Sequence, residues 1–287
     1  MKVTDIIKSD KPTLSFEVFP PKISANFESV KATAEKIADL NPSYMSVTYG
    51  AGGGTSDFTV DLAEDLMKKG VTPLTHLTCV SSTEERIEEE LKKIKSKGIK
   101  NILALRGDIP EDLDRSKMKF THACELIKKI KEFDSELCIG GACYPETHPE
   151  SESSYADIES LKLKVESGCE FLTTQMFFDN NILYNFIMRL YKVGVDVPVV
   201  AGIMPVTNAK QIKRIMSISG SALPQRFIRI VDRFADNPAA LKEAGIAYAT
   251  EQIVDLYANG INAVHIYSMN NPEVAEKIKN NLTEILK

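Results

Sequence analysis

Apolar residues follow two alternating rhythms along this chain: short dense runs, and longer stretches with a helical period. The first run, Leu14–Phe19, is followed by Phe27, Val30, Ile37 and Leu40 at the spacing of one helix face. The second, Tyr44–Tyr49, precedes a helix around Leu62 and Leu66 that Gly70 closes. The third, Pro73–Val80, precedes a helix with Ile87, Leu91 and Ile94 on one face. Ile102–Leu105 leads into a helix through Cys124, Ile127 and Ile130. Leu137–Tyr144 leads into one with Ile158, Leu161 and Val165, closed by Gly168. Phe171–Phe178 precedes Leu183, Phe186, Ile187 and Leu190, and Val197–Met204 precedes Ile212 and Ile215. Helical stretches near Pro224–Phe234 and Ala239–Ala258 then break the alternation before an eighth run, Ala263–Tyr267, and a last helix, Pro272–Lys287.

Strands that alternate with helices pair in parallel, and eight of them close a barrel. The expected fold is therefore α/β, a (β/α)8 TIM barrel formed by residues 1–287 as a single domain, with extra helices before the eighth strand. Such a barrel needs about 250 residues, so a chain of 287 leaves little room for a second domain. An open doubly wound sheet is the competing arrangement. It would place a glycine-rich phosphate loop after its first strand, where this chain has Pro20-Pro21-Lys22. Gly50-Ala51-Gly52-Gly53-Gly54 lacks the last glycine of G-x-G-x-x-G, where Thr55 sits, and the ending of a P-loop; it reads as a loop.

Charge narrows the partners. The net charge of -5 comes without a basic arm or stripe, which argues against nucleic acid. Within Glu84–Lys97, Glu88 stands four residues before Lys92 and Glu89 four before Lys93, the pattern of a solvated helix face. Met1–Lys11 has no signal-peptide core, and no apolar run is long enough to span a membrane. Five cysteines (Cys79, Cys124, Cys138, Cys143 and Cys169) form no Cys-x-x-Cys pair. A reduced, cytoplasmic chain without structural zinc is expected.

The C-terminal strand ends of such a barrel line its active site. Here they carry Glu17, Thr48, Tyr49, His76, Arg106, Asp108, Tyr144, Glu146, His148, Gln175 and Tyr267. Glu17 lies among apolar and aromatic neighbours, where desolvation would raise its pKa into the range of a proton donor. The plainer reading pairs it with a lysine or arginine. Arg106-Gly107-Asp108 combines a phosphate-binding cation, a glycine for close approach and a carboxylate for a heterocycle, or else is a surface Arg–Asp pair. Gln175 suits a pterin or purine edge, or else is a core amide bonded to backbone. His76 fits a satisfied core histidine, and His122 and His265 are assigned structural roles. Four histidines without ligand spacing point to no metal site.

Seven motifs go further. Ser15–Lys22, Ser46–Ala51, His76–Cys79, Ala104–Asp108, Tyr144–Glu150, Thr174–Asp179 and Gly202–Val206 resemble the methylenetetrahydrofolate reductase family, in family order and over nearly the whole chain. The resemblance is to the short bacterial type, without the C-terminal regulatory domain of eukaryotic members. It implies FAD bound at the C-terminal face of the barrel. On matching positions, Thr48, Tyr49, Ala51, His76, Arg106, Gly107, Asp108, Ala123, Tyr144, His148, Asp157, Ser160 and Lys164 would contact the flavin. Glu17, Asp108, Gln175, Gln211 and Tyr267 would serve the folate, with Glu17 and Asp108 catalytic. The implied reaction is a ping-pong reduction of methylenetetrahydrofolate to methyltetrahydrofolate by NAD(P)H.

Two positions depart from the family pattern. Asn271 replaces a frequent arginine or lysine that touches the folate, and Ile215 replaces an aromatic residue that covers it. Both are compatible with a flavoprotein that takes electrons from a partner subunit instead of NAD(P)H. A homo-oligomer is also expected. A flavin-free lyase or aldolase would want a strand-end lysine or a metal cluster, and the strand ends carry neither. A non-catalytic scaffold fits poorly with so many polar strand ends.

Overall fold

The computed structural model describes residues 1–21, 24–49, 56–109, 118–208, 211–212, 215 and 222–287, with residues 56 and 57 in backbone only. Eight strands form a closed barrel in sequential order: β1 (Thr13–Val18), β2 (Met45–Val47), β3 (Pro73–Thr78), β4 (Asn101–Leu105), β5 (Cys138–Cys143), β6 (Phe171–Thr174), β7 (Val199–Ile203) and β8 (Ala263–Ile266). All neighbours are parallel, and β1 closes on β8 with Ser15 beside His265.

Between and around them lie α1 (Val3–Ile7), α2 (Phe27–Ala38), α3 (Ser56–Lys68), α4 (Glu84–Ser96), α5 (Ala123–Phe133), α6 (Ser154–Glu166), α7 (Asn180–Lys192), α8 (Gln225–Phe234), α9 (Pro238–Ala258) and α10 (Pro272–Asn281). The expected barrel with extra helices before the eighth strand is the architecture observed. Among the described residues no helix is long and apolar enough to cross a membrane.

Alternation within each strand sorts the core into two layers. Leu14, Phe16, Val18, Met45, Val47, Leu77, Ile102 and Ile139 face outward and pack under the helices. Tyr44, Leu74, Leu103, Cys138, Phe171, Val200 and Ala263 point inward and fill the lower barrel. Because both strand faces are covered, each strand reads as a near-continuous apolar run in sequence. Helix starts use local caps: Thr83 Oγ1 accepts from Arg86 N at 3.2 Å, and Ser153 Oγ from Ala156 N at 3.1 Å. Gly70 and Gly168 close α3 and α6 at φ of 87° and 111°, where a side chain would be strained.

The structure corrects the sequence reading in four places. The runs overshoot the strands, most of all β6, which ends at Thr174 rather than Phe178. Beyond it, Phe177 and Phe178 give their carbonyls to Gln252 Nε2 and Tyr248 Oη of α9 instead of a neighbouring strand. The last helix ends at Asn281 and continues to the C-terminus in turns. The charged face of α4 is not simply solvated: Glu84 and Glu88 both grip Lys129 of α5, at 2.9 and 2.6 Å.

The fourth is α1, which the polar look of Met1–Lys11 concealed. Val3 and Ile7 enter the lower interior layer. Asn101 Oδ1 accepts from Val3 N at 2.8 Å while its amide donates to the Met1 and Pro73 carbonyls. This helix plugs the barrel floor. The glycine-rich stretch from Gly50 to Gly54 and Lys22 lie outside the described residues.

Candidate active site

Above the apolar floor the inward positions turn polar, and the upper barrel opens into a cleft of about 1460 Å³. Glu17, Thr48, Tyr49, His76, Arg106, Gly107, Asp108, Ala123, Tyr144, His148, Asp157, Ser160, Lys164, Gln175 and Tyr267 all line it. Residues from β1 to β8 and from α5 and α6 thus converge, as the strand-end argument requires. Ala51 lies outside the described residues.

Gln211 does not line the cleft. Its Oε1 accepts from Thr207 N at 2.8 Å and Asn208 N at 3.2 Å, which spends the amide oxygen on its own turn. Glu146 also turns away, accepting from Ala222 N at 2.7 Å. The two departures from the family pattern have structural roles here. Asn271 caps α10 through Val274 N at 3.2 Å, and Ile215 packs with Phe178, Val206, Ile212 and Phe227.

Glu17 stands at the inner end of the cleft, 8% exposed. Among the described residues no lysine or arginine lies within ion-pair distance of it. The His76 Nε2 lies 3.9 Å from Glu17 Oε2, too far for a hydrogen bond. Burial pushes the Glu17 carboxyl up to about 8 and His76 down to about 3. Both groups are therefore neutral near pH 7. His76 Nε2 is buried without a hydrogen-bond partner, so His76 is not the satisfied core histidine that its strand position allowed.

Arg106 does not pair with Asp108. Its Nη1 and Nη2 lie 2.7 and 3.0 Å from the two carboxylate oxygens of Glu150, a bidentate clamp across the mouth. Gly107 adopts φ 89°, and a Cβ there would press on Thr78 and Val80 at 3.2 Å. The turn needs glycine for conformation and for space.

The Tyr144–His148 loop is held in a strained form, with Thr147 at φ 117°. Tyr144 and His148 rings pack edge to face, with centroids 4.5 Å apart. His148 Nδ1 accepts from Glu150 N at 3.1 Å, and His148 N donates to Asp157 Oδ2 at 3.1 Å. Burial, more than any charge, lowers His148 and raises Asp157.

Lys164 reaches from α6 to the barrel and donates to the Ala142 carbonyl at 2.7 Å. No carboxylate lies within ion-pair distance of it among the described residues, and burial lowers its pKa. Gln175 Oε1 accepts from Met176 N at 3.0 Å. Tyr267 donates its hydroxyl to the Thr174 carbonyl. Gly202 makes room for that bond: a Cβ there would come within 2.5 Å of Tyr267 Oη.

Sequence reasoning missed Glu150 and Gly202, although both stand in the motifs quoted above, and treated His265 as background. His265 lines the cleft floor, buried and bonded to Ser15 and Ser46 at 2.7 and 2.9 Å. The alternation places Ser15 and Ser46 inward with Glu17, which is the signal that could have found them.

A family model described as methylenetetrahydrofolate reductase matches residues 2–283. Among the relatives, "Methylenetetrahydrofolate reductase (NADH) 1" of Arabidopsis thaliana is 34% identical over 98% of this chain and 51% of its own length. The chain therefore spans about half the length of that plant relative. The "5,10-methylenetetrahydrofolate reductase" of Escherichia coli (strain K12) is 32% identical over 92% of this chain and 88% of its own.

Among solved structures, an uncharacterized protein from Clostridium thermocellum that binds two copies of 5-methyl-5,6,7,8-tetrahydrofolic acid superposes with a TM-score of 0.67. It is 14% identical and covers 98% of this chain and 99% of that one. A dihydropteroate synthase from Xanthomonas albilineans in complex with 7,8-dihydropteroate gives 0.54 at 12% identity, covering 96% and 93%. At these identities the likeness is one of fold.

Proposed function

The chain belongs to the methylenetetrahydrofolate reductase family, and from that premise we propose that it reduces 5,10-methylenetetrahydrofolate to 5-methyltetrahydrofolate, using NAD(P)H as donor and FAD as cofactor. The observation that carries this reading is Glu17, a buried carboxyl with no cationic partner among the described residues, deep in a cleft lined by aromatic and polar groups. At about 1460 Å³ the cleft exceeds the roughly 300–1,000 Å³ of an ordinary ligand pocket, which supports two flat molecules lying together.

The lining fits a flavin. Lys164 offers a cation without a carboxylate partner among the described residues, Arg106 a planar one at the mouth, and His76 an unsatisfied buried nitrogen. Thr48, Tyr49, Gly107, Asp108, Ala123, Tyr144, His148, Asp157 and Ser160 complete the walls that would hold it. Ala51, outside the described residues, belongs to the same set by resemblance. When bound, the flavin supplies the two-electron chemistry, from nicotinamide to cofactor and then to the methylene carbon of the folate.

The protein's own contribution is placement of charge and proton. Gln175 and Tyr267 line the cleft and would meet the pterin edge, and Gln175 presents an amide that both donates and accepts. Glu17 gives its proton to the bridging nitrogen N10, which breaks the five-membered ring and leaves a cation at N5. Asp108, exposed at the rim, supplies negative charge on the side where that cation develops. The neutral state of Glu17 near pH 7 suits it to donate rather than to accept.

The Glu17→Gln variant tests this reading. Flavin reduction by NADH or NADPH should persist while the folate half-reaction falls by about 10²-fold or more. Equal loss of both half-reactions would reduce Glu17 to a structural residue. Failure of either nucleotide to bleach the flavin of the wild-type protein would move the electron source to a partner subunit.

A further inference from the structure

Directly below Glu17 the barrel interior carries a polar layer that the proposed reaction does not use. In register, Ser15 of β1 stands beside His265 of β8, and Glu17 of β1 beside Ser46 of β2. The His265 ring bridges these strands, with Nδ1 2.7 Å from Ser15 Oγ and Nε2 2.9 Å from Ser46 Oγ. Ser15 Oγ donates its hydrogen to the Val264 carbonyl at 3.0 Å, so towards the ring it accepts, and Nδ1 carries the ring proton. Nε2 is then a bare lone pair, and Ser46 donates to it. Tyr44 stacks on the ring with centroids 5.6 Å apart, and Tyr267 meets it edge-on at 5.7 Å.

Four hydroxyls in and around this layer share one property. Ser15 donates to Val264, Ser46 to His265, Tyr267 to the Thr174 carbonyl, and Ser268 to the main-chain carbonyl of Glu17 at 2.6 Å. None of these hydrogens goes to the Glu17 carboxyl. Among the described residues, His76 from β3 lies 3.9 Å from that carboxyl and Tyr267 from the β8 side is electrostatically coupled to it. Tyr44 and His265 pack beside Tyr267, and Cys143 and Tyr144 face it from the β5 side. A hydrogen bond donated to a carboxylate favours its charged form, so committing these four hydroxyls elsewhere keeps the proton on.

We propose that His265 is a positioning residue whose Nε2 captures the Ser46 hydroxyl hydrogen, so that the carboxyl opposite Ser46 meets no donor and keeps its proton for the folate. The proposal rests on Glu17 being the proton donor. The capture requires a neutral imidazole, and burial holds His265 at about 3.

The test uses the flavin-loaded protein. Glu17 protonation is read across pH as the undissociated-acid band in infrared difference spectra against Glu17→Gln. In His265→Leu the Ser46 hydroxyl loses its acceptor and turns to Glu17, and the titration midpoint should fall by about one pH unit. His265→Leu combined with Ser46→Ala removes the freed hydroxyl and should restore the wild-type midpoint. His265→Gln, whose amide oxygen can accept from Ser46, should stay near wild type.

An unchanged midpoint in His265→Leu, or an equal fall in the double variant, overturns the proposal. Should His265→Leu fail to fold, His265→Asn releases the same hydroxyl, being too short to reach Ser46, and its Ser46→Ala partner completes the cycle. The folate half-reaction separates the two levels of the argument. A midpoint that moves while the pH dependence of folate reduction stays fixed keeps the capture and removes Glu17 as donor.

Discussion

A carboxyl that titrates at about 8 beside two imidazoles that titrate at about 3 sets the pH behaviour of this site. In the proposed reaction folate reduction needs the protonated acid, so its rate should decline as pH rises through about 8, while flavin reduction by the nucleotide should not share that limb. A stopped-flow pH series on the two half-reactions checks this. Stability follows from the same shifts. Between its ordinary 4.5 and about 8, folded Glu17 holds a proton that the unfolded chain has released. Its contribution is therefore full below 4.5 and is lost as pH climbs to about 8. His76 and His265 act oppositely, since the unfolded chain takes up protons below 6.5 that the folded state refuses down to about 3. From pH 6.5 to 8, denaturant titrations should show stability falling in the wild type and a flatter profile in Glu17→Gln. An acid inside Ser15–Phe19 made the Glu17 role legible in sequence, because apolar neighbours imply desolvation. What stayed hidden was each residue's partner: Glu150 clamps Arg106 from 44 positions away, and no local pattern reports that.

At the scale of elements, periodicity found every strand and the order of the helices, because both strand faces are buried and the helices are one-sided. Boundaries failed where tertiary partners took over the backbone, as α9 does beyond β6. The short α1 failed for another reason. Five residues cannot display a helical period, and only Val3, Ile6 and Ile7 hint at an apolar side. Its energetic weight is nevertheless testable. Val3 is fully buried among Tyr44, Leu74 and Phe171 at the floor. Val3→Asp would bury a carboxylate with no counter-ion and should cost roughly 3 kcal/mol or more, read as a lower denaturation midpoint.

At the scale of the molecule, eight strand ends bring side chains from Glu17 to Tyr267 around one cleft, although 250 residues separate them in sequence. That convergence was legible from the barrel prediction alone, whereas the turn that holds the Gln211 amide is something only the structure shows. A ligand filling so large a cleft should stabilise the fold as a whole. Protein stripped of flavin should melt lower, and adding FAD at about 100 times its dissociation constant should restore about 2.7 kcal/mol, seen as a saturable rise in Tm. The plug formed by α1 has a consequence for traffic. Among the described residues, a barrel stoppered below is a well that opens upward, so a spent molecule would back out along the path its successor takes inward. Electron donor and one-carbon acceptor would then queue for a single berth, and an excess of either should crowd out the other.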